Sequence, residues 1–96
     1  MILEVAILDI RESLSDEFEI AFTQASPLIS SIPGYINHEL HKCIEVSNRY
    51  LLLVRWQKLE DHTIGFRESP EYQEWKQLLH HFYEPFPKVE HFEQIF

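Results

Sequence analysis

RYLLLVRW, residues 49–56, decides the fold, because this stretch is apolar on both of its faces. Successive side chains of an extended strand alternate between faces. One face carries Leu51 and Leu53, and the other carries Leu52, Val54 and Trp56. Turn-forming residues at 45–48 precede the stretch, and an extended segment at 35–44 precedes the turn. The stretch therefore predicts the second strand of a hairpin in a sheet whose two faces are both covered.

Upstream of the hairpin, the sequence predicts a strand and a helix. Residues 2–10 are rich in branched apolar side chains and predict the first strand. Ser13 or Ser15 is the expected helix cap, and apolar residues then recur at helical spacing. Pro27 lacks a backbone donor and should bend or loosen the helix before Pro33-Gly34 ends it.

Downstream of the hairpin, the pattern predicts a second helix and a last strand. A short helical connection is expected over residues 59–65, and Ser69-Pro70 supplies a cap and a preferred first residue. The apolar stripe of this helix runs through Tyr72, Trp75, Leu79 and Phe82. The prolines that begin at Pro85 should end the helix, and weak alternation over 88–96 predicts an edge strand.

The order strand, helix, strand, strand, helix, strand is the split βαβ pattern of ferredoxin-like α+β folds. No linker or repeat interrupts the 96 residues, so we expect one domain over residues 1–96. Both helices cover one face of such a sheet, which leaves the apolar face with Leu51 and Leu53 open. An open apolar face predicts a symmetric homodimer in which two sheets pack face to face.

Charge and cysteine content exclude several classes of protein. The formal net charge of -8 repels nucleic acid and anionic lipid headgroups alike. The first residues, MILEVAILDI, are apolar but carry Glu4 and Asp9 and no basic leader, so we expect neither a signal peptide nor a membrane span. Cys43 is the single cysteine, which permits no internal disulfide and fits a reducing cytoplasm.

The run YLLLVRWQKLEDHTIGFRESPEYQEWKQLL, residues 50–79, resembles the antibiotic biosynthesis monooxygenase family, as does PGYINHEL at 33–40. The similarity covers nearly the whole chain. Its most specific parts are the strand that ends in Trp56, the short helix at 62–66, and the Ser-Pro helix with Tyr72 and Trp75. The resemblance implies a dimeric α/β barrel and, for some members, oxygenation of electron-rich aromatics by O2 without metal or flavin.

Two branches of this family can be compared residue by residue. In the branch resembling polyketide-anthrone oxygenases, Trp56 matches a pocket tryptophan, but Leu52 stands where the family has a pocket asparagine. In the haem-degrading branch the tryptophan and histidine positions fall on Phe66 and Lys76, and the first strand has no asparagine. Haem degradation is therefore disfavoured, and quinol-oxidising members match about as well as the anthrone type.

Direct reaction of O2 with a phenol-like substrate requires an electron-rich anion, so a base must remove a proton. His62 is the first candidate, because it lies one helical turn before Phe66 and near the strand end at Trp56. Its alternative is a solvent-facing position on the helix. His38 is the second candidate, and the hairpin register decides whether it points toward Trp56 or away from it.

The residues expected to bind the substrate are Trp56, Phe66, Arg67, Tyr72, Trp75 and His81. For the aromatic residues the alternative is packing in the core. Arg67 would hold an anionic substrate, or else pair with Glu68 or Glu71 at the surface. His81 should cover the edge of the pocket, while the neighbouring His80 should point outward.

Neither a metal nor another cofactor is expected. No H-x-x-x-H pair occurs on one helical face, His80 and His81 are adjacent and therefore splayed apart, and no glycine-rich loop is present to hold a nucleotide. The leading hypothesis is a cofactor-independent monooxygenase that oxidises a small quinol, phenol or anthrone-like aromatic with O2. The alternative is a non-catalytic dimeric barrel that binds a small apolar metabolite, motivated by Leu52 in place of a polar pocket residue.

Overall fold

A four-stranded antiparallel sheet carries two α-helices on one of its faces. The computed structural model describes all residues, 1–96. The strands are β1 (Ile2–Asp9), β2 (Tyr35–Lys42), β3 (Arg49–Trp56) and β4 (Val89–Glu93), and the helices are α1 (Ser15–Ser30) and α2 (Pro70–Leu79). A π-helical turn at Asp61–Phe66 precedes α2, and a 3-10 turn at His80–Phe82 follows it.

The strand order β2-β3-β1-β4 confirms the predicted ferredoxin-like α+β fold. The central strand β1 places Val5 opposite Leu53 of β3 on one side and opposite Glu90 of β4 on the other. β2 and β3 form the predicted hairpin, and β4 is the predicted edge strand. Since β2 and β4 each keep a free edge, one chain forms an open sheet and not a closed barrel.

The first helix differs from its predicted ends. Leu14 occupies the cap position without a side-chain hydrogen bond, so neither Ser13 nor Ser15 caps α1, and Ser13 instead has a φ of 67°. Pro27 lies inside α1, which ends at Ser30. Proline near the end of a helix removes only one backbone hydrogen bond, and this helix accommodates that loss.

The second helix begins as predicted and ends earlier. The Ser69 hydroxyl accepts a hydrogen bond from the Tyr72 backbone N–H at 3.1 Å, and Pro70 is the first helical residue. The helix stops at Leu79, before any proline, because the chain there pairs with the end of β1. Tyr83 forms a bridge with Ile10 in that pairing.

The helix-facing side of the sheet holds the core. A period of two places Ala6 and Leu8 of β1 on this side, and helical spacing places Phe18 of α1 in the same buried core. The Phe18 ring lies at 4.9 Å from the Tyr50 ring and 5.8 Å from the Phe82 ring, measured between centroids. Large aromatics thus supply much of the burial in this small domain.

The other side of the sheet is apolar and uncovered within one chain. Leu51 and Leu53 of β3 are only half-buried there. On the same side, Ile7 of β1 is 53% exposed and Phe92 of β4 is 50% exposed. This confirms the expected open apolar face, which is defined here by Leu3, Val5, Ile7, Leu51, Leu53 and Phe92. Neither α1 nor α2 is long and apolar enough to cross a membrane.

Candidate active site

A cavity of about 340 Å³ lies between the sheet and α2, within the size range of small-molecule sites. Its floor is apolar and formed by the sheet residues Ala6, Leu8, Leu52 and Val89. Aromatic side chains form the walls, namely Phe66, Tyr72, Trp75, Tyr83 and Phe86. The polar groups at the wall are few, as expected for a site that orients an apolar ligand through a small number of hydrogen bonds.

Glu4 is the carboxylate of this cavity, and it is only 5% exposed. The alternation of β1 places it on the helix-facing side together with Ala6 and Leu8. Burial raises the pKa of Glu4 to about 7, against smaller lowering effects of the Trp56 hydrogen bond and the Arg67 charge. A carboxyl group with this pKa changes its protonation state near neutral pH.

Trp56 holds the Glu4 carboxyl in position without lining the cavity itself. Glu4 lies opposite Val54 of β3, so Trp56 is its diagonal neighbour on the same face. The Trp56 indole Nε1–H donates a hydrogen bond to Glu4 Oε1 at 2.9 Å. Trp56 is fully buried and does not line the cavity, so it contacts the carboxylate and not the space a ligand would occupy.

His62 lies at the cavity wall and is 3% exposed, so the solvent-facing alternative is wrong. The wide π-helical turn carries it over β3, where its ring stacks on Trp56 at 5.4 Å between centroids. Its Nε2 lies 3.4 Å from Glu4 Oε1. Burial, with smaller contributions from the charges of Arg67 and His91, lowers the pKa of His62 to about 3. The imidazole is therefore neutral, and its contact with Glu4 is not an ion pair.

His91 extends this polar group toward the surface. It lies on β4 directly opposite Glu4 in the sheet, on the same face. His91 Nε2 is 2.7 Å from His62 Nδ1, a hydrogen bond in which one ring donates and the other accepts. His91 is half-buried, and burial followed by the Arg67 charge lowers its pKa. The sequence alone predicts no part for His91 in the site.

Arg67 lies at the rim of the cavity and is exposed. It forms no ion pair with Glu68 or Glu71, the surface partners considered from the sequence. Its guanidinium is the one permanent cation among the residues that line the cavity. A positive charge here favours anions inside the cavity.

Three more of the predicted substrate-binding residues line the cavity together. The Phe66 ring packs edge-on against Tyr72 at 5.1 Å and against Trp75 at 5.5 Å. The hydroxyls of Tyr72 and of Tyr83, which sequence reasoning missed, make no hydrogen bond within the chain. Burial raises the pKa of Tyr83, so its hydroxyl keeps its proton and remains a donor.

The neighbouring histidines of the 3-10 turn have the opposite positions from those predicted. His80 lines the cavity, and its ring lies 4.9 Å from that of Phe86 at the cavity rim. His81 is exposed and lies outside the cavity. The reason is the early end of α2: the 3-10 turn changes the angle between successive side chains from that of an α-helix.

His38 lies on the helix-facing side of the sheet but outside the cavity. It is opposite Val54 in the hairpin, and α1 covers it through Phe22. Its Nε2 is 3.0 Å from Ser26 Oγ, and its Nδ1 is hydrogen-bonded to the Tyr35 hydroxyl. Both ring nitrogens are therefore occupied by protein groups, away from the space that Glu4 and His62 border.

The position of Glu4 in the sequence is itself a recognisable signal of a functional group. It stands two residues before Ala6 and four before Leu8, which is core spacing in a strand. A carboxylate at a core position is unusual and marks a candidate functional group. The chain has no cluster of three or more side chains placed to hold a metal ion.

The family model for antibiotic biosynthesis monooxygenases matches residues 1–78 of this chain. Among full-length relatives, YczJ of Bacillus subtilis (strain 168), described as an uncharacterized protein, is 61% identical over 95 residues. That alignment covers 99% of this chain and 100% of YczJ.

Solved structures agree with the family match. A Bordetella bronchiseptica protein that carries the same family name superposes with a TM-score of 0.94 at 32% identity, covering 99% of this chain and 97% of its own. SnoaB of Streptomyces nogalater, described as a cofactor-independent oxygenase, superposes with a TM-score of 0.84 at 16% identity, covering 97% and 91%. The SnoaB similarity concerns the fold alone. The chain belongs to the antibiotic biosynthesis monooxygenase family.

Proposed function

We propose that this chain is a cofactor-independent monooxygenase that oxidises a small electron-rich aromatic, such as a naphthol, hydroquinone or anthrone, with O2. The observation that carries the proposal is Glu4, a buried carboxyl group with a pKa of about 7 in an aromatic-lined cavity. Membership of the monooxygenase family and the oxygenase description of SnoaB support the same chemistry.

Glu4 is a better base than His62. An effective base must be unprotonated at the working pH and must still have appreciable proton affinity. The pKa of His62 is lowered to about 3, so its neutral ring attracts a proton only weakly. The pKa of Glu4 is raised to about 7, which is close to the ideal for a base at neutral pH. We assign proton removal to Glu4 and a supporting position to His62.

The reaction steps follow from this assignment. Glu4 removes a proton from the substrate, and the resulting anion passes one electron to O2. The substrate radical and superoxide combine into a peroxide anion, which takes up a proton to give a hydroperoxide. Loss of water then leaves a new carbonyl group, so that one O2 is consumed and one oxygen atom leaves as water. The free hydroxyls of Tyr72 and Tyr83 and the Arg67 guanidinium are the donors available to the anions.

The cavity selects for a flat apolar ring system with few polar groups. Phe66, Tyr72 and Trp75 provide ring contacts, and Leu52 makes the floor apolar at the position where the resemblance to anthrone oxygenases implies an asparagine. Arg67 at the rim favours a substrate whose anion, or whose substituent, carries negative charge. Substrates that need a polar floor should therefore be oxidised less well than simple naphthols.

Oxygen uptake by chelator-treated protein tests the proposal, with a panel of hydroquinones, naphthols and anthrones as substrates. Glu4→Gln is the informative variant, since an amide still accepts the Trp56 hydrogen bond but cannot take a proton. Uptake should fall by about a hundredfold or more, the usual contribution of a positioned base. Glu93→Gln, at an exposed glutamate of β4, is the matched control and should leave uptake unchanged.

Uptake that stays at the autoxidation rate across the panel would contradict the monooxygenase proposal. The apolar floor at Leu52 favours a second candidate in that case, a dimeric protein that binds a small apolar metabolite without turning it over. Trp75 lines the cavity, so quenching of the tryptophan fluorescence by the same compounds, with no oxygen consumed, would support this binding function.

We also propose that the working form is a homodimer joined through the open apolar face. Two copies of that face would cover Ile7 and Phe92, which are each at least half exposed in one chain. The Arg55 guanidinium lies beside this face and is already paired with Glu39 at 2.9 Å, so packing would bury no unpaired cation.

Leu53→Glu should convert the dimer to a monomer, because it places a charge at the centre of the open apolar face. The control is Ile20→Glu on the outer surface of α1, where the isoleucine is 64% exposed. Sedimentation at micromolar concentration measures the result. Wild-type protein that sediments as a monomer would exclude this interface.

A further inference from the structure

Three titratable groups form a line from the cavity to the sheet edge. Glu4 Oε1 lies 3.4 Å from His62 Nε2, and His62 Nδ1 lies 2.7 Å from His91 Nε2. The first separation is long for a hydrogen bond, but such contacts commonly tighten when a ligand binds. Glu4 and His62 are buried, whereas His91 on the edge strand β4 is half-buried and reaches solvent.

Glu4 needs such a line when the cavity is occupied. The side chain is only 5% exposed, and a bound aromatic would separate it from the water in the cavity. Trp56 can donate a hydrogen bond to Glu4 but cannot accept a proton. Arg67 remains charged and cannot exchange protons at neutral pH. His62 is then the one neighbour of Glu4 that can both accept and release a proton.

We propose that His62 and His91 form a proton path between Glu4 and solvent at the β4 edge. In the outward direction, protonated Glu4 gives its proton to His62 Nε2, while His62 Nδ1 releases its own proton to His91 Nε2. His91 Nδ1 releases a proton to water in turn. Each ring gains one proton and loses one, so no imidazolium is left in the buried site, where its charge would be costly.

The inward direction reverses every transfer and restores the starting tautomers. In the proposed oxygenation, one proton leaves the substrate early and another is needed later by the peroxide, so both directions are used. The catalytic role of this path rests on the proposed function. The path itself is a property of Glu4, His62 and His91 in the resting protein, and it can be measured without turnover.

A pH jump followed by infrared spectroscopy measures the path directly. The carbonyl stretch of protonated Glu4 is identified as the band that disappears in Glu4→Gln. With 1-naphthol in the cavity under nitrogen, and in ligand-free protein, the rate at which this band appears after acidification is compared between wild type and His91→Phe. With the naphthol present, we expect His91→Phe to lower the rate at which the band appears by about a hundredfold, the low end for loss of a positioned proton carrier.

Two controls separate proton transfer from a general effect on structure. His41→Gln removes an exposed histidine of β2 outside the cavity and should leave the rate unchanged. His91→Ala leaves space for a small base, so imidazole in the medium should restore its rate. Equal rates for wild type and His91→Phe in both ligand states would overturn the path, as would a slow His91→Ala that imidazole does not restore.

The two proposals fail in different experiments. Oxygen uptake at the autoxidation rate, together with a slowed infrared band in His91→Phe, would remove the monooxygenase function and keep the path. Uptake that depends on Glu4, together with an unchanged band in His91→Phe, would keep the function and remove the path.

Discussion

Two histidines illustrate how differently two ends of the same sheet face are used. His38 and His62 both lie on the helix-facing side, and burial lowers the pKa of both. His38 bonds Ser26 and Tyr35, which are neutral groups next to a helix that covers them. His62 is adjacent to a buried carboxyl, Glu4, and an open cavity.

The comparison shows that a buried histidine is not by itself a sign of chemistry. Around His38 each polar atom has a neutral partner, and the group has the character of a satisfied core contact. Around His62 the carboxyl of Glu4 is held in a place where its ionisation is costly. That cost raises the proton affinity of Glu4 and makes this end the candidate site.

The largest expected difference between the two ends is in the pH dependence of oxidation. Glu4 must be ionised to act as a base, and its pKa is about 7. The kcat/KM for oxygen uptake should therefore fall by about tenfold per pH unit below that value and level off above it. If His62 were the base, its pKa of about 3 would leave the profile flat at mildly acidic pH. Initial rates in buffers of constant ionic strength separate the two assignments.

A stability effect of similar origin should distinguish Glu4→Gln from wild type. The folded-state pKa of about 7 lies above the unfolded value of 4.5, so the folded state holds the proton longer as the pH rises. Stability is therefore lost between those values, by about 3 kcal/mol in total. Glu4→Gln avoids this loss and should be more stable than wild type by about that amount at pH 8, with no difference below about pH 4.5. Urea unfolding at each pH measures it.

The same variant also reveals how His62 changes stability with pH, an effect opposite in sign to that of Glu4. Its folded-state pKa of about 3 lies below the model value of 6.5, so stability is lost as the pH falls through this range. In wild type the two effects oppose each other between pH 4.5 and 6.5. Glu4→Gln should lose stability on acidification in that window while wild type changes little. Parallel curves for the two proteins would contradict the raised pKa of Glu4, and a flat curve for Glu4→Gln would contradict the lowered pKa of His62.

A smaller effect is expected from the rim of the cavity. The Arg67 charge lowers the pKa of Glu4, so Arg67→Gln should move the midpoint of the pH profile upward. The shift should be less than about one pH unit, because the guanidinium is exposed and screened by salt. Arg55→Gln, at the open face, is the control. A shift downward would contradict the placement of Arg67 near the carboxylate.

The smallest effect on oxidation should come from His38→Gln. His38 does not line the cavity, so this change should alter kcat/KM by less than about threefold. The lost contacts with Ser26 and Tyr35 should lower the free energy of unfolding by about 1 kcal/mol. A loss of activity as large as that of Glu4→Gln, in a variant that remains folded, would contradict the assignment of the base to Glu4.

Most of the fold was predictable because its signals are local. The apolar pattern of β3, the cap at Ser69 and the turn after Pro33 each act over a few residues. Gly34 illustrates this: it has a φ of 91°, a conformation that favours glycine, and it allows the turn into β2. The ends of α1 and α2 were less predictable, since contacts distant in sequence decide them, such as the bridge between Ile10 and Tyr83.

The candidate site was only partly predictable. Phe66, Tyr72 and Trp75 line the cavity, as helical spacing and the family resemblance together suggest, and their contact with a substrate stays a prediction. His81 was predicted at the edge of the cavity, but His80 lies there, because a 3-10 turn replaces the expected helical geometry. Glu4 was missed, because a single charge in an apolar strand is informative only once its burial is known.

The sequence by itself determined the order of the elements, the faces of the strands and the open apolar side of the sheet. Those properties depend on the alternation and periodicity of neighbouring residues, which side-chain geometry translates directly into faces. Only the tertiary structure decided that Glu4, His62 and His91 meet. Glu4 and Trp56 are 52 residues apart and His62 and His91 are 29 apart, so strand register and the π-helical turn bring them together. Their proton affinities follow from that meeting, because burial and neighbouring charges set the pKa of a group and neither is encoded locally.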